Sequence, residues 1–365
     1  MAQVNDIPRN GLHGTRNASG RSPSAVKLSA RNLWKVYGTS PRGFFAESRS
    51  CDADRMVGEM LSSGHIPAAI DVSFDVHAGE IFVIMGLSGS GKSTVVRCLS
   101  RLVEATSGQV LFDGEDLLAK SPRELTHIRR HKMGMVFQNF GLLPHLTVLE
   151  NVAFPLKLQG LKLSEQRYRA QAVISLVGLE GRESSLPGQL SGGQQQRVGI
   201  ARSLAAEPEI WLLDEPFSAL DPLIRRQMQD EFLRLQQKLN KSIVFITHDF
   251  MEALRVADRM AIMRDGRIVQ MGTPQELVIN PADDYVAQFT REVPRIRILQ
   301  AGDCAGNTAL PTATMPRLSA RMSIEAMIRE LADNLDGVAI EDSGAIIGVI
   351  TPSSLIQTLA SVDGC

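Results

Sequence analysis

The stretch "EIFVIMGLSGSGKST", Glu80 to Thr94, decides the fold. Its apolar run, Ile81 to Met85, has the length and composition of a strand buried on both faces. It breaks directly into Gly86-Leu87-Ser88-Gly89-Ser90-Gly91-Lys92-Ser93-Thr94, which satisfies G-x-x-x-x-G-K-[ST]. The following "VVRCLSRL" has helical apolar spacing. A glycine turn with an incidental lysine is the mundane reading, and the strand before and helix after argue against it. Glycines let the backbone wrap around phosphate oxygens, and the helix N-terminus adds a positive dipole. In such a loop Lys92 reaches the β and γ phosphates and Ser93 is a ligand for magnesium.

A phosphate site of this kind needs an acidic strand end, and "IWLLDEP" supplies Asp214 and Glu215. Alone, an Asp-Glu pair after an apolar run is an ordinary solvated strand end. Downstream of a complete phosphate loop, Asp214 becomes a candidate to hold magnesium through its water shell. Glu215 becomes a candidate to orient and polarise an attacking water, because phosphoryl transfer depends on positioning. A second glycine-bearing stretch, "QLSGGQQQRVGIARSL" from Gln189, places Ser191, Gly192, Gly193 and Gln194 at the start of another helical pattern, a second anion receptor.

Two anion sites in one chain gain a reason from a resemblance. From about Val26 to Phe289 the motifs resemble, in order, those of the ATP-binding subunits of ABC transporters. Tyr37 stands where that family stacks an aromatic ring on adenine. Gln138, in "MVFQ", matches the Q-loop, which also serves the metal. "LSGGQ" matches the signature, Asp221 ends a "SALD" D-loop, and His248, in "ITHD", matches the switch histidine at the γ phosphate. The resemblance implies ATP and Mg2+ as ligands, with Glu215, His248, Lys92 and Gln138 as the catalytic set. It also implies a head-to-tail homodimer in which one chain's signature covers the ATP on the other's phosphate loop. The implied fold is α/β: a P-loop NTPase with a RecA-like core, an antiparallel β part and a helical subdomain at about 139–206.

The whole chain fits that expectation. At 365 residues it is long enough for one large domain and a smaller appendage. Apolar residues make up 44% and charged residues 22%, with a formal net charge of -1, which lacks the basic excess of a nucleic-acid binder. "RRHK" at Arg129–Lys132 reads as a solvated charged face. Cys51, Cys98, Cys304 and Cys365 form no C-x-x-C pair, so neither zinc nor a disulfide framework is expected, and a reducing cytosol suits them. No apolar run approaches the ~20 residues of a membrane-spanning helix. Residues 1–25 read as a mobile tail without a signal-peptide core, and the "NAS" at Asn17 as a chance sequon.

Around the motifs, the pattern alternates apolar strands with helices. A strand opens at Val26, and an insertion with helical content near Arg55–Leu61 runs from Thr39 to about Pro67. Strands return at "GQVLFDG", "KMGMVFQ", "EIWLLDEP" and "SIVFITHD", with a helix over Leu223–Leu239 and a hairpin turning at Asp265-Gly266. The ATPase domain is expected over 26–290, a linker over 291–316 and a small α-β-β-α unit over 317–365. In the last unit, Ile324, Met327, Ile328, Leu331 and Leu335 share one helix face, and Thr351 or Ser353 caps the final helix.

"EIFVIMGLSGSGKST", "FSALDPLIRRQMQDEF" and "NPADDYV" are similar to the ATPase subunits of glycine betaine, proline and choline uptake systems. The C-terminal unit is similar to one cystathionine-β-synthase-type (CBS) module, where that subfamily commonly carries two, which implies pairing between chains. Implied partners are a transmembrane permease and an extracytoplasmic substrate-binding protein, with the chain at the cytoplasmic face of the inner membrane and no nucleic acid. Three other readings stay open: an importer of a polyamine or amino acid, a soluble ABC ATPase outside transport, and a ligand sensor with a vestigial ATPase. The intact Lys92, Asp214, Glu215 and His248 weigh against the last.

Overall fold

The computed structural model describes residues 25–46, 52–137, 141–218, 220–291, 293, 296, 298–305 and 315–360. The strand before the phosphate loop is β3 (Ile81–Met85), third in chain order after β1 (Val26–Tyr37) and β2 (Ile66–His77). Downstream come β4 (Ser107–Phe112), β5 (Glu115–Asp116), β6 (Met133–Val136), β7 (Ile210–Asp214), β8 (Ser242–Thr247), β9 (Arg259–Arg264) and β10 (Arg267–Gly272). They form a six-stranded sheet, β10-β9-β3-β8-β7-β6, and a four-stranded antiparallel sheet, β2-β1-β4-β5. In the larger sheet all neighbours are parallel except the β9–β10 hairpin.

Every residue of β3, β7 and β8 is buried, so these strands read as continuous apolar runs. Their side chains alternate between two cores. Ile81, Val83, Met85, Trp211, Leu213, Ile243 and Phe245 face one; Phe82, Ile84, Ile210, Leu212, Val244 and Ile246 face the other. The first core is shared with helices α5 (Val148–Leu158), α6 (Leu163–Leu176), α7 (Gly192–Ala205), α8 (Pro222–Leu239) and α9 (Phe250–Val256). The second is closed by the antiparallel sheet together with α3 (Lys92–Leu99) and α4 (Pro122–His131). Thr147 and Ser121 start α5 and α4 with reciprocal caps to Glu150 and Glu124, the S/T-x-x-E signature. Arg129 departs from the expected solvated face: its guanidinium donates to the carbonyls of Ser100 and Arg101, just past α3, satisfying carbonyls that the helix end leaves open.

The insertion after Tyr37 holds α1 (Gly43–Ala46) and α2 (Ala53–Ser62). Met56, Met60, Phe44 and Phe45 fill a satellite core against Trp34, Val36 and Ile70. After β10 come α10 (Pro274–Ile279) and α11 (Asp284–Thr290).

The C-terminal unit is β11 (Arg317–Ser319), α12 (Ile324–Asp333), β12 (Val338–Asp342), β13 (Ala345–Ile350) and α13 (Pro352–Ala360). Its sheet, β11-β12-β13, adds a parallel edge strand to the hairpin that the sequence shows. Three residues are too few for a periodic signal, so β11 escapes a sequence reading. Thr351 makes the final cap, its hydroxyl accepting from Ser354 N–H at 3.2 Å. The segment expected as a bare linker is packed in part. Ile298 lies in the large core, while Leu299, Ala301 and Cys304 join Ile324, Met327, Leu331 and Ile340 in the small one. The Ala-Gly-rich composition hid these contacts, because buried small residues look like linker residues. The tail, Cys51, Gln138 and Cys365 lie outside the described residues.

Because the C-terminal unit has a core of its own, Ile340→Ala should act locally. Ile340 is fully buried, and its truncation is expected to cost about 2–5 kcal/mol. Hydrogen exchange read peptide by peptide should speed up across β11–β13 and α12 and stay unchanged in β3, β7 and β8. Equal acceleration in both regions would show one shared core.

Candidate functional site

The sheet register builds the site. Met85 pairs with Thr247, and Asp214 pairs with Ile246, so β3, β8 and β7 end together. The residues that follow them, Gly86, His248 and Glu215, therefore emerge at one edge of a parallel sheet, where α/β folds bind ligands.

The loop at that edge is held from behind. Ser90 accepts at its carbonyl from Gly266 N–H at 3.0 Å, and Gly266 accepts from Ile70 N–H at 2.8 Å, so the β9–β10 turn buttresses it. Gly91, with φ +99°, N-caps α3, and a Cβ there would lie 2.1 Å from the Ala68 carbonyl oxygen. At Gly86 a Cβ would lie 2.2 Å from the Met263 carbonyl oxygen. Only glycine fits either position.

Lys92 is 5% exposed, and its ammonium donates to the Gly86 and Leu87 carbonyls, each at 2.9 Å. Burial pushes its pKa down, against the pull of Glu215 and Asp214. Ser88 and Gly89 at the tip are exposed, Thr94 is half-buried, and the buried Ser90 hydroxyl has no hydrogen-bond partner. Ser93 Oγ donates to Asp214 Oδ1 at 2.8 Å, with Arg97 Nη2 3.8 Å from Oδ2. Burial pushes the Asp214 carboxyl pKa up, opposed by the Ser93 hydrogen bond.

Glu215 has φ +46°, a left-handed conformation that costs a non-glycine residue roughly 1–2 kcal/mol. Three bonds hold it there: its N–H donates to Ile246 O at 3.2 Å, and its carbonyl accepts from Ser218 N–H at 3.3 Å and Oγ at 3.0 Å. The outcome is that Glu215 Oε2 stands 3.2 Å from His248 Nδ1, the histidine being half exposed and the glutamate largely covered. Strain fixed by surrounding bonds is what a positioned functional group shows.

The sequence had no signal for the support behind His248. Glu252 is buried and accepts from Gln229 Nε2 of α8 at 2.9 Å and from the Thr247 hydroxyl. Arg225 Nη1 of α8 lies 3.6 Å from Asp249 Oδ2. The switch segment is thereby tied to the helix that Asp221 begins, where Asp221 Oδ1 accepts from Leu223 and Ile224 N–H at 3.2 and 3.1 Å. Arg97 was readable in principle, being four residues past Ser93 on the same helix face.

Two further predicted elements take no part in these hydrogen bonds and ion pairs of the loop, the carboxylates and the histidine. Tyr37 ends β1 and is 41% exposed, with Lys35 Nζ 4.8 Å from its ring centroid. Ser191 N-caps α7 in a reciprocal cap, its Oγ accepting from Gln194 N–H at 3.3 Å and its N–H donating to Gln194 Oε1 at 3.0 Å. Ser191 and Gly192 are exposed, Gly193 and Gln194 half-buried, and α7 packs on α5 and α6. The hydroxyl of Ser93 and the carboxylate of Asp214 are hard oxygen donors of the type magnesium takes alongside phosphates and water.

A glycine loop between strand and helix, backed by an acidic strand end, is a nucleoside-triphosphate site of the P-loop class. A family model described as "ABC transporter" matches residues 70–218. The trimethylamine N-oxide transport system ATP-binding protein of Ruegeria pomeroyi is 52% identical over 333 residues, covering 91% of this chain and 96% of that protein. The glycine betaine/proline betaine transport system ATP-binding protein of Escherichia coli is 45% identical over 343 residues, covering 93% and 84%. Among solved structures, the dimeric bacterial ABC transporter cassette MJ0796 aligns with a TM-score of 0.57 at 35% identity, covering 68% of this chain and 98% of that one. The chain belongs to the ATP-binding subunits of ABC transporters, and it is an ATPase that uses ATP and Mg2+.

Burial pushes the Glu252 carboxyl pKa up, against its bonds to Thr247 and Gln229. The folded chain thus keeps this proton longer than the unfolded one. Its contribution to stability is complete below the ordinary glutamate value of 4.5 and is lost as pH rises through the higher folded value. Glu252→Gln, uncharged throughout, is expected to flatten the fall of the urea midpoint above that pH. An unchanged slope would show that the carboxylate carries no burial cost.

Proposed function

We propose that the chain energises import of a small methylated amine, of the betaine or amine-oxide type, by hydrolysing ATP at the edge formed by Gly86–Thr94, Asp214, Glu215 and His248. The single observation that supports this most is the contact set at that edge. Ser93 of α3 touches Asp214 at the end of β7, and Glu215, just past β7, stands against His248, just past β8.

In this reading the loop N–H groups and Lys92 hold the β and γ phosphates, which replace the Gly86 and Leu87 carbonyls as the ammonium's partners. Ser93 and Asp214 hold magnesium, whose charge offsets that of the phosphates. Water attacks the γ phosphorus as the bond to the bridging oxygen breaks, giving ADP and inorganic phosphate. Glu215 Oε2 accepts the water's proton, and His248 contacts the γ phosphate. Tyr37 offers an exposed ring for the base. Ser191–Gln194 present a helix N-terminus with Ser191 and Gly192 exposed, and in this reading they serve the ATP of a second chain. The Q-loop position, Gln138, is read as the link to the permease.

Nothing in an ATPase site contacts the solute, so its class rests on the relatives. The amine-oxide system's subunit aligns along nearly its whole length, 96% of it. A permease is the chain's route to the membrane: among the described residues no helix is long and apolar enough to span it. An extracytoplasmic binding protein completes the importer in this reading.

Glu215→Gln should retain ATP binding, lose hydrolysis by about 10²–10⁴-fold and run as an ATP-bound dimer on a sizing column. Normal turnover would remove Glu215 as the base. Uptake of labelled trimethylamine N-oxide, glycine betaine, choline and proline should be compared in cells with the intact chain and with Lys92→Ala. Loss for one of the first three is expected. Unchanged uptake of all four would leave the ATPase standing and overturn the solute class.

A further inference from the structure

Besides the Gly266 buttress, the phosphate loop has a side-chain tether from outside the motifs. Tyr285, near the start of α11, is 198 residues from Leu87, and its hydroxyl accepts from Leu87 N–H at 3.4 Å. The same hydroxyl donates to Met263 O at 3.1 Å, the carbonyl that Gly86 packs against. With one bond given and one received, the hydroxyl has a fixed orientation.

The ring is fixed as well. Arg264 stacks over it at 4.8 Å and also pairs with Asp283 at 3.1 Å. Asp283 in turn caps α11 through Val286 N–H at 2.9 Å. Phe289 meets the ring edge-on at 5.1 Å, and Val286 anchors the helix in the large core.

We propose that Tyr285 is a positioning residue for nucleotide binding: it holds the Gly86–Leu87 peptide in the phosphate-receiving shape. The Gly86–Leu87 peptide is held at both ends, its N–H by Tyr285 and its carbonyl, that of Gly86, by Lys92 at 2.9 Å. When the ammonium turns to phosphate, the carbonyl loses that partner. The Tyr285 bond is then what keeps the loop's first peptide from rotating and its later N–H groups aimed at the ligand.

This inference rests on Gly86–Thr94 being the ATP site. The test uses the purified full chain, with ATP binding by calorimetry and steady-state ATPase kinetics. Tyr285→Phe keeps the ring and removes the hydroxyl. It is expected to weaken ATP binding and raise KM about 2- to 10-fold, with kcat at saturating ATP and the melting temperature near wild type. Wild-type binding and KM in Tyr285→Phe would overturn the proposal. So would a loss seen only in Tyr285→Leu, which would assign the effect to ring packing. Lys92→Ala, run alongside, separates the two failures. If it still binds ATP normally, the site reading itself falls; if it loses ATP while Tyr285→Phe is unaffected, only the tether falls.

Discussion

The site depends on the in-register parallel pairing of β3, β8 and β7. Each strand is buried on both faces, so a slip of one residue would turn its side chains into the wrong core. That penalty fixes where the strands end, and their ends are where the chemistry begins. Gly86, Glu215 and His248 owe their proximity to apolar side chains several residues upstream: Ile81–Met85 for the loop, Ile210–Leu213 for the carboxylates, Ile243–Ile246 for the histidine. Packing sets the register, and the register sets the reacting geometry.

What packing cannot set, local backbone constraint supplies. The loop approaches two carbonyls, those of Ala68 and Met263, more closely than any side chain permits, and glycine at positions 91 and 86 resolves the conflict. Glu215 makes the opposite choice. It keeps a side chain in a left-handed conformation, and the bonds to Ile246 and Ser218 offset the strain. A glycine there would relax the backbone and discard the carboxylate. The difference shows which position serves as scaffold and which as a functional group.

Much of this was legible in the sequence because the signals are local. An apolar run, a glycine loop and a helical pattern are contiguous from Ile81 to Leu99, and the cap read at Thr351 lies within three residues of its partner, Ser354. What stayed hidden joins distant segments or lacks period. Tyr285 meets Leu87 across most of the chain, and Gln229 meets Glu252 from a different helix. Arg129 read as one more surface charge until its carbonyl partners were placed. In 299–304 the buried residues include Ala301 and Cys304, which carry too little apolar mass to stand out from a linker.

The same geometry bears on why one chain carries two anion receptors. The loop, the carboxylates and the histidine converge on one sheet edge. The α7 terminus belongs to a layer packed on α5 and α6, and its capping bonds are satisfied within Ser191–Gln194. α7 shares the large core with β3, yet the loop uses none of α7's capping groups. A helix terminus that is fully capped yet leaves Ser191 and Gly192 exposed still directs its dipole outward. If, as proposed, this terminus serves the ATP of a second chain, the two receptors can meet on one nucleotide only when chains associate. In that proposal the nucleotide's negative charge draws the chains together, and hydrolysis, by dividing that charge between two products, weakens the hold.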